Sequence, residues 1–336
     1  VKHFSDQTWR SPQQSAVITY SPAYTLVPTY ECFNRCTYCN FRRDPGMDEW
    51  LSLSTAQQRL LTVRDRGVCE VLILSGEVHP QSPRRAAWRQ RLIELAELAL
   101  DMGFLPHTNA GPLNRAEMIA LQNVNVSLGL MLEQLTPQLQ RTVHRAAPSK
   151  DPQLRLQQLE QAGELGIPFT TGLLLGIGET SRDRLETLEA IAACHDRWGH
   201  IQEVILQPHS PGRQQAIQHP PLAPDELIDC VAIARQVLPT SIAIQVPPNL
   251  LTQPQQLADC LGAGARDLGG IVPYDEVNPD YQHHDLDELR EALAQQGWQL
   301  QPRLPVYPHL VDRLPQRLQT HVAAWLNRFN SQSRSS

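Results

Sequence analysis

The chain has 336 residues, 41% of them hydrophobic, with 29 Lys and Arg against 35 Asp and Glu and a net charge of −6. That length suits one large domain or two ordinary ones. No Lys/Arg block tracks phosphates, so nucleic acid is not an expected partner, and no apolar run nears the roughly 18 residues of a membrane span.

Short β-rich runs alternate with longer helical patterns. Strands are predicted at 24–28, 70–74, 104–108, 125–131, 169–175, 202–207, 242–246 and 268–272. Several are continuous apolar runs, as parallel strands buried on both faces require. A capping box from Ser54 to Gln57 predicts the start of the first helix, and Gly67 its end. Trp88, Leu92, Leu95 and Ala99 give the apolar stripe of the next, which stops at Gly103. Asp151 and Pro152 read as N-cap and first residue of another, ending near Gly166. Leu185, Leu188 and Ile191 mark a further helix closed by Gly199, and Asp225 opens the one carrying Leu227, Ile228 and Val231.

Eight strand–helix repeats predict an α/β fold of the (β/α)8 TIM-type barrel, with a doubly wound open sheet as the alternative. No composition break divides it, so a single domain is expected over 16–326. Residues 1–15 form an N-terminal extension and the Ser-rich 327–336 a flexible C-terminal tail. The N-terminal stretch lacks the apolar core of a signal peptide, and a cytoplasmic location is expected. In a barrel, ligands bind at the C-terminal ends of the strands.

The densest chemical signal follows the first strand. Cys32, Cys36 and Cys39 stand in C-x3-C-x2-C spacing, three of the seven cysteines within one loop. Thiolates are soft ligands for iron–sulfur clusters or zinc. Three of them fill three corners of a four-iron cluster and leave one iron open. A structural zinc site usually draws on two close pairs, and no second pair exists; zinc with a distant fourth ligand is the alternative. Cys69, Cys194, Cys230 and Cys260 are isolated and read as buried small hydrophobes. His283 and His284, among acidic residues, read as a solvated loop.

With Tyr38 ahead of the third cysteine, this spacing resembles the signature of the radical S-adenosylmethionine (SAM) superfamily. Ser75-Gly76-Glu77, after the second strand, resembles its GGE element, with Ser in place of the first Gly. The stretch from Gly172 to Glu179 resembles its G-x-I-x-G-x-x-E element, with Leu174 for Ile. A phosphate-binding loop is the rival for that stretch, but no Lys-Ser/Thr follows its glycines. The resemblance implies one 4Fe-4S cluster on the three cysteines, whose open iron chelates SAM. It also implies SAM contacts from Tyr38, Gly76, Glu77, Glu133, Gly176 and Gln207, with His209 beside the last.

Segments 32–41, 106–111, 127–133, 144–152, 166–172, 201–205, 267–271 and 277–279 together resemble one family more narrowly. It is the CofG subunit family of 7,8-didemethyl-8-hydroxy-5-deazariboflavin (FO) synthase. The resemblance implies a small-molecule substrate, the tyrosine-derived diaminouracil adduct 5-amino-5-(4-hydroxybenzyl)-6-(D-ribitylimino)-5,6-dihydrouracil. FO synthase subunit 2, of the CofH type, supplies that adduct as functional partner. Hydrogen abstraction, ring closure and loss of ammonia then give FO, and a one-electron donor is required. Groups that could bind a uracil and a polyol or move protons are His107, Thr108, Asn109, His144, Arg145, Lys150, Asp267 and Asn278. The catalytic acid and base stay open among them. The tyrosine-transferring subunit, or a menaquinone-pathway or biotin-synthase-like enzyme, is the alternative; segments 144–152 and 267–271 favour the FO-forming subunit.

Overall fold

The computed structural model describes residues 17–215, 220–251, 254–282 and 285–332. Its strands are β1 (Val17–Leu26), β2 (Glu70–Leu74), β3 (Leu105–Asn109), β4 (Ser127–Gly129), β5 (Phe169–Leu175), β6 (Ile201–Pro208), β7 (Ala243–Gln245), β8 (Asp267–Ile271) and β9 (Gln299–Pro302). The helices between them are α1 (Leu53–Leu61), α2 (Arg85–Asp101), α3 (Arg115–Gln122), α4 (Pro152–Glu164), α5 (Ser181–Trp198), α6 (Pro224–Val237), α7 (Pro254–Ala263), α8 (Leu286–Ala294) and α9 (Gln316–Gln332).

Strands β1 to β8 pair in parallel with their neighbours, and β8 and β2 both pair with β1. The ring therefore closes, which sets aside the open-sheet alternative. The β5 run is buried along its whole length because the barrel interior covers one face and the helices the other. On α2, the stripe of Trp88, Leu92, Leu95 and Ala99 is buried against the sheet as its spacing predicts. Each such large side chain contributes about 1.5–3 kcal/mol by leaving water.

Several boundaries differ from expectation. The first helix is capped by Ser52, whose side chain accepts from Thr55 N, and not by Ser54; it ends at Leu61, before Gly67. Helix α6 starts at Pro224, so Asp225 sits in its first turn instead of capping it. Strand β4 is short because the chain after Gly129 bonds β5 irregularly, through Leu130 N to Thr170 O and Glu133 N to Gly172 O. Strand β9 and helix α9 were not anticipated. The first half of β1 pairs with β9 and the second half with β2. Residues 327–332, expected in the loose tail, continue α9, where Trp325 Nε1 donates to Gly103 O at 2.7 Å. The extension 1–15, His283, His284 and 333–336 lie outside the described residues. No helix among the described residues is long and apolar enough to cross a membrane.

Candidate active site

The cysteine loop crosses the C-terminal mouth of the barrel and is pinned along its length. Cys32 N donates to Arg43 O at 3.0 Å, Phe33 N to Glu77 O at 3.1 Å, Arg35 N to Ala146 O at 2.7 Å and Thr37 N to Val143 O at 3.1 Å. Strand β2 ends hard against it. A Cβ at Gly76 would lie 2.1 Å from Glu31 O, so only glycine lets the two backbones approach this closely. Cys32, Cys36 and Cys39 all line one cavity of about 240 Å3. Burial pushes the Cys36 thiol up to about 12 and raises that of Cys32. Thiols so placed ionise when a metal replaces the proton.

The donor set fits an iron–sulfur cluster. Among the described residues, no three His, Cys, Asp or Glu side chains converge as ligands of a single ion. In a four-iron cluster each thiolate binds its own iron, so convergence on a single ion is not needed. The remaining cysteines, Cys69, Cys194, Cys230 and Cys260, are buried in the core.

A charged belt lines the same cavity. Glu77 accepts from Asn34 Nδ2 at 3.0 Å, from Ser149 Oγ and from Arg155 Nη2 at 3.2 Å. Lys150 Nζ pairs with Glu133 Oε1, and Arg155 Nη1 lies 4.0 Å from the same oxygen. Arg155 is itself fixed by Ser149 O and Met131 O. Burial pushes the Glu133 pKa up, but Lys150 and Arg155 outweigh it and hold it below the usual value. Glu133 adopts φ +65, a left-handed conformation uncommon for a residue with a side chain and concentrated at functional sites.

Beneath the mouth, a second chamber of about 200 Å3 runs down the barrel lumen. The two share Leu74, Asn109, Met131, Gln207, Val277 and Asn278. Barrel lumens are ordinarily packed with branched apolar side chains. This one instead carries His107, Glu70, Glu203 and Arg303.

Residues 26–191 match the radical SAM superfamily. Over 305 residues the chain is 67% identical to 7,8-didemethyl-8-hydroxy-5-deazariboflavin synthase of Thermosynechococcus vestitus, covering 91% of this chain and 97% of that protein. The chain belongs to this radical SAM synthase family. The Trichormus variabilis synthase is 63% identical over 309 residues, 92% of this chain and 91% of its own length. The barrel also superposes on the FeFe-hydrogenase maturase HydG of Carboxydothermus hydrogenoformans, with a TM-score of 0.72 at 18% identity, over 93% of this chain and 77% of that one; this likeness concerns the fold. Family membership makes the chain a SAM-binding, iron–sulfur-dependent enzyme.

Within the radical SAM barrel, the residues expected at the cofactor gather with one exception. Tyr38, Gly76, Glu77, Glu133 and Gln207 line the mouth cavity with the three cysteines, and His209 joins them. Gly176 does not. Its N–H is taken by Glu179 at 2.7 Å and it packs on Leu222.

The proton-transfer and substrate candidates divide. Asn109, Lys150 and Asn278 line the mouth, and His107 the lumen chamber. The other four line neither, which corrects the expectation that they face substrate. Thr108 is buried and donates to Asn125. His144 is buried behind the cysteine loop against Tyr38, and burial with Lys150 lowers its pKa to about 3. Arg145 is exposed on the outer surface.

Asp267 is fully buried and anchors Arg303 through both its oxygens. The glycines after it have a similar structural use. Gly269 takes φ +71, and a Cβ there would fall 2.0 Å from Gln245 Nε2. Asn34, Ser149, Arg155, Glu203 and Arg303 were missed. Asn34, Ser149 and Glu203 lie within segments 32–41, 144–152 and 201–205, but neither spacing nor periodicity singles them out there, and Arg155 and Arg303 lie outside those segments.

Proposed function

We propose that this chain forms FO from the tyrosine-derived diaminouracil adduct, holding one 4Fe-4S cluster on Cys32, Cys36 and Cys39 with SAM as cosubstrate. The observation that carries this reading is the shared cavity. Three thiols and the Glu77–Arg155–Glu133–Lys150 belt line one mouth, which opens directly into a polar lumen chamber. Identity of 67% to a named synthase over nearly its whole length supports the substrate.

When bound, the cluster and SAM supply a 5′-deoxyadenosyl radical. The chain's own residues bind, orient and exclude water. Asn34, Ser149 and Arg155 fix the Glu77 carboxylate, which would hold the SAM amine. Lys150 and Arg155 keep Glu133 ionised as an acceptor for the amine or ribose. Asn109, Gln207 and Asn278, common to both chambers, border the passage where SAM and substrate would meet. The adduct comes from the CofH-type partner and the electron from a one-electron donor. Seven free thiols suit the reducing cytoplasm.

The test is anaerobic reconstitution with iron and sulfide, then incubation with SAM, reductant and the adduct. Mass spectrometry should find 5′-deoxyadenosine and fluorescence should find FO. Appearance of 5′-deoxyadenosine without FO would keep the radical chemistry and remove the substrate assignment.

A further inference from the structure

The lumen chamber has a floor that SAM does not need. Arg303 donates to Glu203 Oε1 at 2.7 Å and to Asp267 Oδ1 at 2.7 Å, while Thr170 Oγ1 donates to the other Glu203 oxygen at 3.3 Å. Glu70 is buried in the same chamber. Two carboxyls therefore pair with one guanidinium, and a third lies in the same chamber. Burial raises Asp267, but Arg303 outweighs it and holds that carboxyl below its usual range, while burial pushes Glu203 and Glu70 upward. Carboxyl oxygens accept hydrogen bonds from hydroxyls, and a guanidinium donates them.

His107 adds a defined acceptor. Its Nδ1 lies 2.6 Å from Ser127 Oγ, and that hydroxyl donates its single proton to Pro305 O at 2.6 Å. Nδ1 must then carry the ring proton, leaving the Nε2 lone pair bare. Gly129 makes room beside it, since a Cβ there would stand 2.8 Å from Nε2. Polar groups of this kind are unusual in a barrel lumen, and a bare acceptor there costs stability unless a ligand uses it.

We propose that the lumen chamber is the subsite for the polyhydroxylated chain of the substrate, with Glu203 and Arg303 as its floor and His107 Nε2 accepting from one hydroxyl. This deepens the proposed function and rests on it for the identity of that chain. The chemistry selects the polyol end. A phenol ring with one hydroxyl would use few of these groups, and an anion would meet two carboxyls beside an already neutralised arginine. The shared rim at Asn109 and Gln207 would leave the rest of the molecule at the mouth.

The experiment uses the reconstituted, SAM-bound protein and anaerobic calorimetry. The probes are 5-amino-6-ribitylaminouracil and its analogue with N-methyl in place of ribityl. Wild type should favour the ribityl compound by about tenfold or more, the size of one to two buried hydrogen bonds. Glu203→Gln and, separately, His107→Asn should each cut that preference several-fold. The two variants lie on different strands, so a folding failure in one leaves the other to decide. Equal weakening of both probes, with the preference intact, would overturn the subsite. So would a wild type that forms FO yet binds both probes alike. A wild type that shows the preference but forms no FO would support the subsite and overturn the proposed reaction.

Discussion

Tyr38 Oη lies 2.8 Å from His144 Nε2, and the two rings meet edge to face with centroids 5.6 Å apart. The contact fastens the cysteine loop to the segment after β4, beside the backbone bonds from Arg35 and Thr37. His144 thus acts on the cluster loop and not on substrate. His144→Leu and Tyr38→Phe should each destabilise by about 1–3 kcal/mol, since each strands a buried polar partner. The double variant should lose clearly less than the sum. Anaerobic denaturant unfolding measures this, and iron release to a chelator should quicken in all three. Additive losses would mean that the two side chains are not coupled.

Cys36→Ala should lose both iron and SAM cleavage, because no other thiol lines the mouth beyond its two companions. Cys260→Ala should keep both and cost about 1 kcal/mol or a little more, as a small buried side chain is trimmed. Iron content and 5′-deoxyadenosine yield read the contrast. Retention of a full cluster by the Cys36 variant would remove the basis of the ligand assignment.

Arg155 is 1% exposed and joins Glu77, Glu133, Ser149 O and Met131 O. Arg155→Leu should cost about 3–5 kcal/mol, because it leaves buried carboxylates without their counter-charge. Arg155→Lys should recover little, since one ammonium cannot span four acceptors that a planar guanidinium reaches. Thermal unfolding and equilibrium binding of SAM are the measurements. A Lys variant equal to wild type in both would show that charge alone matters.

The barrel and the cluster loop were legible because they rest on local signals. Apolar runs give parallel strands, and C-x3-C-x2-C puts three thiols in one loop. Glu77 was found through the likeness of Ser75-Gly76-Glu77 to the GGE element, and Glu133 through its place after the fourth strand at the mouth. Arg155 was not, because it stands on α4 in a run that reads as an ordinary half-polar helix face, and its partners are 78 and about 22 positions away. Glu203 and Arg303 are hidden for the same reason, being 100 positions apart. Asp267 was read as a substrate contact because its segment matches the family. The structure gives that segment a different use, holding Arg303 and clearing space for Gln245.

His200 sets a pH limit on stability far from the active site. It is fully buried beside Phe169, and neither ring nitrogen makes a well-formed hydrogen bond among the described residues. Burial first, and then His195, lower its pKa to about 3, against an ordinary value of 6.5. Between those values the unfolded chain binds a proton that the folded chain refuses, so stability falls as pH drops through the window and is unaffected above it. His200→Leu removes this one term. Relative to wild type, the variant should gain about 2 kcal/mol on going from pH 7 to pH 5, whatever its difference at pH 7. Denaturant unfolding of both proteins at the two pH values isolates the term, because the other titrating groups cancel in the comparison. Parallel pH profiles would mean that His200 takes up its proton in the folded barrel, and that the cavity around it admits water.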